Sequence, residues 1–341
     1  MSLFDKYINI DSSNFVNFIG GEFKRQEFTS IISTEYTNKF VIEFKPTDNC
    51  NFSCSYCCFH DNTTKHLSDE LFSNYLKVLS GMEINEKEIF LFVYGGEPTL
   101  HPKLADLIIS IVNLFKDKKV NVLIQSNGLY YKQSDYIKLH EKLSIYDIDY
   151  VWSFSFHHEH TKIFKIVNII KYLMSIDRFE VLTYMINKKN IKMDIRNLNI
   201  FKTLGIDVYV RTILQESAYF KKSEYSHLIS STPDETPYII EKNNKLTKLS
   251  FENLSMGGFL NFKDYYCTAG NNTILLSSSG KIYRCDMDAL YDKNPMYDVN
   301  ISLDAINSNC CKCEHTFCSI YYSDKFEKEI DYDKKIINNS R

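Results

Sequence analysis

Two hydrophobic rhythms alternate along this chain. Phe40–Phe44, Ile89–Tyr94, Val120–Gln125, Tyr150–Phe156, Val181–Met185 and Val208–Leu214 are short runs rich in β-branched and aromatic residues, and they read as strands. Between them lie longer stretches that read as helices: Asp69–Leu79, Lys103–Phe115, Tyr136–Leu143, Lys162–Leu173 and Ile191–Leu204. Ser68 stands where it can cap the first of these, with acidic residues in the opening turn. Pro102 opens the second helix, and Gly205 stops the last. Strands that alternate with long crossovers predict a parallel sheet. The expected fold class is α/β: a partial (β/α)6 TIM-like barrel, whose chemistry sits on the loops after the strands.

The rhythm stops after the sixth strand. A polar stretch from about Gln215 to Lys248, with Ser230-Ser231-Thr232-Pro233-Asp234-Glu235-Thr236-Pro237 at its middle, reads as a linker or lid. The expected organisation is an N-terminal extension at 1–38, a barrel at 39–225, a linker at 226–260, a small cysteine-bearing domain at 261–325 and a tail at 326–341. Within the extension, Asn17–Phe23 holds Gly20-Gly21, which suits a small hairpin.

Composition narrows the class. With 341 residues the chain can bury a substantial core. A formal net charge of −3 gives no electrostatic footprint for nucleic acid or a membrane surface. The longest apolar run, Leu107–Phe115, is too short to span a bilayer, and the first residues carry early charge without an apolar core of a signal peptide. A cytoplasmic protein without membrane or nucleic-acid partners is expected.

The ten cysteines fall into two clumps. Clumped cysteines in a chain of this kind read as metal or cluster ligands rather than disulfides. The first clump, Cys50-Asn-Phe-Ser-Cys54-Ser-Tyr-Cys57, closely follows the first strand and so lies at the working face of the barrel. Three thiolates can hold three irons of a [4Fe–4S] cubane and leave the fourth iron open for an external ligand. A zinc site completed by His60 is the alternative. Cys58 reads as a small buried hydrophobe.

Cys50-x3-Cys54-x2-Cys57, with Tyr56 before the last cysteine, resembles the radical S-adenosylmethionine (SAM) superfamily. Further pieces follow in the expected order. Gly95-Gly96-Glu97-Pro98 after the second strand resembles the family's GGEP motif, and Gln125-Ser126-Asn127-Gly128 after the third resembles its T-N-G turn. The resemblance implies that Gly95, Gly96, Glu97 and Pro98 approach the SAM methionine and its ammonium group. It implies SAM contacts for Tyr56, Ser126, Asn127, Ser153, Ser155 and Asn187, with Val208, Val210 and Ile213 flanking adenine. It also implies the reaction. SAM chelates the open iron, an electron from a flavodoxin or ferredoxin enters the cluster, and a 5′-deoxyadenosyl radical takes hydrogen from a substrate. The protein positions that radical and excludes water.

The second clump resembles the SPASM or twitch extension of the same superfamily. Cys267-x12-Gly280-x4-Cys285 is followed by Cys310, Cys311, Cys313 and Cys318. Gly280 suits a tight turn between Thr273–Leu276 and Lys281–Tyr283. A full SPASM segment carries seven cysteines, so the shorter twitch form with one auxiliary [4Fe–4S] cluster is expected. By its pattern the ligands are Cys267, Cys285, Cys310 and Cys313, with Cys318 or Cys311 able to replace one of the last two. Structural zinc is the alternative here.

One departure from SPASM relatives concerns the end of the fourth strand, where this chain reads Ser155-Phe-His157-His158-Glu159-His160. These groups suit a general base or a polar-substrate site, or else a solvated loop. Alternation puts His157 on the face of Ser153 and Ser155, which makes it the first candidate for catalysis. Arg211 on the sixth strand is a candidate partner for a carboxylate. Three functions are thus expected, in order: dehydrogenation or epimerisation of a small polyol, amino sugar or sugar nucleotide; modification of a ribosomally made peptide; and a non-catalytic iron–sulfur or zinc scaffold. The short stretch before the barrel leans away from a leader-peptide-binding domain.

Overall fold

Six strands run side by side in the order in which they occur: β1 (Lys39–Phe44), β2 (Glu88–Val93), β3 (Lys119–Ser126), β4 (Tyr150–Phe156), β5 (Phe179–Ile186) and β6 (Val208–Thr212). Every neighbouring pair is parallel. The computed structural model describes residues 30–33, 39–54, 57, 65–86, 88–186, 191–212, 238–242, 245–249, 265–267, 269–270, 272–290, 295–296, 311–312 and 325–327. Helices return the chain between successive strands: α1 (Asp69–Gly81), α2 (Leu104–Leu114), α3 (Gln133–Ile145), α4 (Ile163–Ser175) and α5 (Ile191–Thr203). β1 and β6 do not pair, so the barrel is open.

The two faces of the sheet differ. Toward the helices, Trp152, Phe154 and Phe156 of β4 are fully buried. Trp152 meets Tyr136 of α3 edge-on at 5.0 Å, and Phe156 meets Phe201 of α5 at 5.4 Å. Phe44 of β1 meets Phe72 of α1 with the rings tilted at 36° and their centres 6.1 Å apart. Each such ring contributes about 2 kcal/mol of burial. The intervening residues, Glu43, Lys45, Ser153 and Ser155, therefore face the inside of the barrel.

Two more strands extend the sheet beyond β1. β7 (Thr273–Leu276) pairs with β1 in parallel, and β8 (Ile282–Tyr283) turns back antiparallel to β7. The glycine expected at this turn is present for two reasons. Gly280 has φ +88°, and a Cβ there would stand 2.6 Å from Leu71 of α1. Tyr75 of α1 completes the junction, its hydroxyl reaching the carbonyl oxygens of Ser277 at 2.5 Å and Lys281 at 2.9 Å. A short helix, α6 (Asp286–Leu290), follows.

The chain divides into two units. Asn38–Pro233 with Thr273–Asn307 forms the barrel unit, and Met1–Thr37, Asp234–Asn272 and Ser308–Arg341 form the other. The β7–β8 hairpin thus belongs to the barrel's sheet, whereas the sequence pattern grouped it with the later cysteines. The second unit holds an antiparallel sheet in the order Cys311–Lys312, Tyr266–Cys267, Lys325–Glu327, Ser30–Ser33, Tyr238–Lys242, Lys245–Leu249. Within the stretch read as a linker, Tyr238–Lys242 and Lys245–Leu249 form a hairpin, with Lys242 opposite Lys245. Asn243-Asn244 stands between them in sequence, a residue type that suits tight turns. The Asn17–Phe23 segment lies outside the described residues. No helix among the described residues is long and apolar enough to cross a membrane.

Candidate functional site

The β1–α1 connection carries the first three cysteines, and its base is closed by hydrogen bonds. The backbone N–H of Leu67 donates to Pro46 O at 2.9 Å, and that of Asp48 to Lys65 O at 3.3 Å. Thr47 Oγ1 donates to Lys65 O at 3.1 Å and accepts the N–H of Asn49 at 3.0 Å. Beyond this neck, Cys50 is exposed, Cys54 buried and Cys57 intermediate. The Cys57 N–H turns back to Cys54 O at 3.1 Å, and the Phe52 N–H points at Cys50 Sγ at 3.4 Å.

Three thiols on a loop closed at its neck fit a cubane. Although Cys50 is exposed as a residue, partial desolvation of its sulfur pushes the thiol up, and the neighbouring charges of Glu97 and Cys57 act in the same direction. A cationic iron on the sulfur reverses that preference. Among the described residues no three Cys, His, Asp or Glu groups converge as the shell of a single metal ion. Thiols that each hold a separate iron of a cluster need not converge in that way. Tyr56, Cys58 and His60 lie outside the described residues.

The turn after β2 packs directly against this neck. Gly96 N–H donates to Thr47 O at 3.0 Å and Glu97 N–H to Asn49 O at 2.8 Å. A Cβ on Gly96 would stand 2.2 Å from Asn49 O, and one on Gly95 2.6 Å from Thr47 O. Both glycines are therefore needed where backbone meets backbone, Gly95 at Thr47, three residues before Cys50, and Gly96 at Asn49, one residue before it.

Glu97 is fully buried and serves four donors. Its Oε1 accepts Thr99 N–H at 3.1 Å, Thr99 Oγ1 at 2.5 Å and Ser126 Oγ at 2.7 Å, while Oε2 accepts Asn127 N–H at 2.7 Å. It caps the 3-10 turn Pro98–Leu100. Burial raises the carboxyl's pKa although all four bonds pull it down. Asn127 continues the chain of bonds, with Nδ2 donating to Asn51 Oδ1 at 2.7 Å, beside Cys50. The expected SAM residues Gly95, Gly96, Glu97, Ser126 and Asn127 are thus brought together around the cysteine loop.

Ser153 and Ser155 are buried on the inner face, and Ser155 Oγ accepts Gln125 Nε2 at 2.8 Å. Deeper on the same face, the Tyr94 hydroxyl donates to Glu43, and Lys45 Nζ stands 5.2 Å from the Tyr94 ring centre. Burial, then the nearby Asp286, pushes the Glu43 carboxyl up to about 8, against the Tyr94 bond and Lys45.

His157 follows β4 and points at the cysteine loop, with Nδ1 3.6 Å from Cys54 Sγ. Burial, then the neighbouring His160, lowers its pKa to about 4. Phe52 meets the His157 ring edge-on and stacks on His160 at 4.7 Å. His158 turns the other way, its Nδ1 3.9 Å from Asp194 of α5, which also accepts the Tyr184 hydroxyl at 2.9 Å. Arg211 stands on β6 in register with Met185. Asn187, Ile213, Cys310, Cys313 and Cys318 lie outside the described residues. Cys267 is buried in the second unit and in register with Cys311, and Cys285 lies in the barrel unit.

Sequence reasoning passed over Thr47, Asn51, Thr99 and Asp194. Thr99 had a signal, since Glu97-Pro98-Thr99 reads as the start of a turn capped by its acidic residue. Thr47 had a local signal too, since its hydroxyl accepts the N–H of Asn49 two positions on, whereas Asn51 had none, its partner Asn127 lying 76 positions away.

A model of the Radical SAM superfamily matches residues 44–216, about half of the chain. The chain belongs to that superfamily. With membership come its cofactors, a [4Fe–4S] cluster and SAM, and the need for a substrate and a reductant. No match is found among curated proteins. Among solved structures, histidine-tagged anSMEcpe with bound AdoMet superposes with a TM-score of 0.52 at 16% identity, over 79% of this chain and 80% of that one. Native anSMEcpe with bound AdoMet and the Cp18Cys peptide gives 0.52 at 15%, over 80% and 81%. BtrN in complex with AdoMet and 2-DOIA gives 0.41 at 13%, over 84% and 85%. At these identities the likeness to anSMEcpe is one of fold.

Proposed function

We propose that the protein is a radical SAM enzyme that takes hydrogen from a small polar substrate, a polyol, amino sugar or sugar nucleotide, in a dehydrogenation or epimerisation. In this reading Cys50, Cys54 and Cys57 hold the [4Fe–4S] cluster. When bound, that cluster supplies the electron that cleaves SAM into methionine and a 5′-deoxyadenosyl radical. The observation that carries the choice of substrate is the polar inner face of the barrel. Glu43, Lys45, Ser153 and Ser155 are buried there, with Tyr94 and Gln125 beside them. Buried polar groups favour ligands that return their hydrogen bonds.

The chain's own residues bind and orient. The glycines and Glu97 keep the turn after β2 tight against the cysteine loop. Ser153 and Ser155 take the SAM carboxylate or ribose, and Arg211 a carboxylate of substrate or SAM. The cysteine pattern Cys267, Cys285, Cys310 and Cys313, with Cys311 or Cys318 as a substitute, supports one auxiliary [4Fe–4S] cluster as acceptor of the substrate's electron. A flavodoxin or ferredoxin is the proposed donor.

The test is anaerobic incubation of the reconstituted chain with SAM and reductant, adding polyols, amino sugars and sugar nucleotides, or cysteine- and serine-containing peptides. Release of 5′-deoxyadenosine stimulated by the small substrates, with oxidised or epimerised product, is expected. Stimulation by peptides alone overturns the substrate class in favour of peptide maturation. No SAM cleavage under any condition leaves the scaffold reading.

A further inference from the structure

Cys54 and His157 meet although they are 103 positions apart in sequence. The 3.6 Å separation of Cys54 Sγ and His157 Nδ1 is a sulfur hydrogen bond. The imidazole does not depend on a free loop for its place. His157 directly follows β4, and its carbonyl oxygen accepts the N–H groups of His160 at 3.0 Å and Thr161 at 2.9 Å, which closes the turn. The ring is further held edge-on by Phe52, at a centroid distance of 6.0 Å. Among the described cysteines of its loop Cys54 is the buried one, with 6% of its surface exposed, so water competes little for its sulfur.

We infer that His157 donates its Nδ1 hydrogen to the Cys54 thiolate of the [4Fe–4S] cluster and so raises that cluster's reduction potential. An iron-bound thiolate carries no proton, so the hydrogen of this pair belongs to the imidazole. Reduction adds negative charge to the cluster and its sulfurs, and a donor aimed at sulfur stabilises the reduced form more than the oxidised one. His157 therefore acts through Cys54 rather than as a base on substrate. The consequence for function is direct: reductive cleavage of SAM needs a low potential, and this bond limits how low the cluster sits. A charge-assisted bond of ordinary strength corresponds to about a tenfold change in the reduced-to-oxidised ratio. For one electron that is about 59 mV. The inference rests on the proposal that Cys54 holds an iron.

The test is an EPR-monitored redox titration of the reconstituted full chain without SAM. It follows the signal that changes when SAM is added to a parallel sample. His157→Phe keeps a ring against Phe52 but has no N–H, and His157→Gln keeps a donor. Expected is a potential lower by about 59 mV in His157→Phe, a tenfold change, with part of the loss recovered in His157→Gln. Equal potentials in wild type and His157→Phe overturn the inference. A second measurement needs no variant: pulsed EPR of the reduced wild-type cluster, with histidine labelled by nitrogen-15. A nitrogen coupling that changes with the label is expected, and its absence overturns the inference even if His157→Phe fails to assemble its cluster. A spectrum indifferent to SAM overturns the proposed cluster site and the inference together. A SAM-responsive spectrum without histidine coupling overturns the inference alone.

Discussion

The backbone N–H of Asn127 donates to Glu97 Oε2 at 2.7 Å, tying the turn after β3 to the turn after β2 beneath the cysteine loop. The glutamate of the GGEP motif is therefore part of the scaffold whatever it offers to SAM. Removing it in Glu97→Ala strands the buried donors of Thr99, Ser126 and Asn127. The expected loss is about 3 kcal/mol, read as a lower urea midpoint of the cluster-free protein. Glu97→Gln turns an amide donor toward one of those donors and costs about 1–2 kcal/mol. A carboxylate serving SAM alone would leave both midpoints where they were.

The neck of the cysteine loop depends on Gly96 in a different way. A Cβ there meets backbone oxygens, Asn49 at 2.2 Å and Asp48 at 2.6 Å, and neither can rotate aside. Gly96→Ala is expected to push the 47–49 segment outward and with it Cys50, so that iron retained after reconstitution falls to less than half of wild type. Gly205→Ala is the control. Gly205 has φ +69° but nothing within 4 Å of a new Cβ, so it costs about 1–2 kcal/mol for backbone strain and leaves iron retention unchanged.

Much of this arrangement was legible before the fold was known, and the reason is locality. Six strands and five helices follow from runs of a few residues, and Ser68 caps α1 as its position implied, accepting the Leu71 N–H at 3.3 Å. The cysteine, GGEP and Asn127 motifs were legible because each lies within a handful of positions after a strand. What escaped were pairings set by topology. The β7–β8 hairpin pairs with β1 because Thr273–Leu276 is an apolar strand that finds an open edge more than two hundred positions upstream. The Cys54–His157 contact likewise forms only once the connections after β1 and β4 are brought to the same end of the sheet, and Asp194–Tyr184 only once α5 packs on β5. The hairpin at 238–249 was hidden by lysines and asparagines that read as polar loop, although Tyr238-Ile239-Ile240 opens it and Leu246 and Leu249 stand in its second strand.

Glu43 gives the protein a pH dependence. Its carboxyl is raised from 4.5 to about 8, chiefly by burial and then by Asp286, with the Tyr94 bond and Lys45 opposing. The native state thus holds a proton that the unfolded state has released across that window. Stability falls as pH rises from about 4.5 to about 8, with a slope of up to about 1.4 kcal/mol per pH unit from this group. Glu43→Gln keeps the shape without the titration. Urea unfolding at several pH values between these limits should show a flatter profile for the variant, and parallel profiles would refute the assignment.

Iron counting separates the two proposed clusters. About eight irons per reconstituted chain are expected if both are [4Fe–4S], and about four if only the first assembles. Cys50→Ala removes a thiolate whose sulfur faces a backbone N–H rather than a packed core, so the fold should survive while the SAM-responsive EPR signal is lost with about four irons. Cys285→Ala tests the other group. Cys285 sits just before α6, where its carbonyl oxygen accepts the Ala289 N–H at 3.2 Å, a bond that alanine preserves. If Cys285 is an auxiliary ligand, the variant loses about four irons, keeps the SAM-responsive signal and still cleaves SAM, but no longer delivers oxidised product. If Cys285 is only a half-buried hydrophobe, iron content and product both stay at wild-type levels, and the electron acceptor must be sought elsewhere.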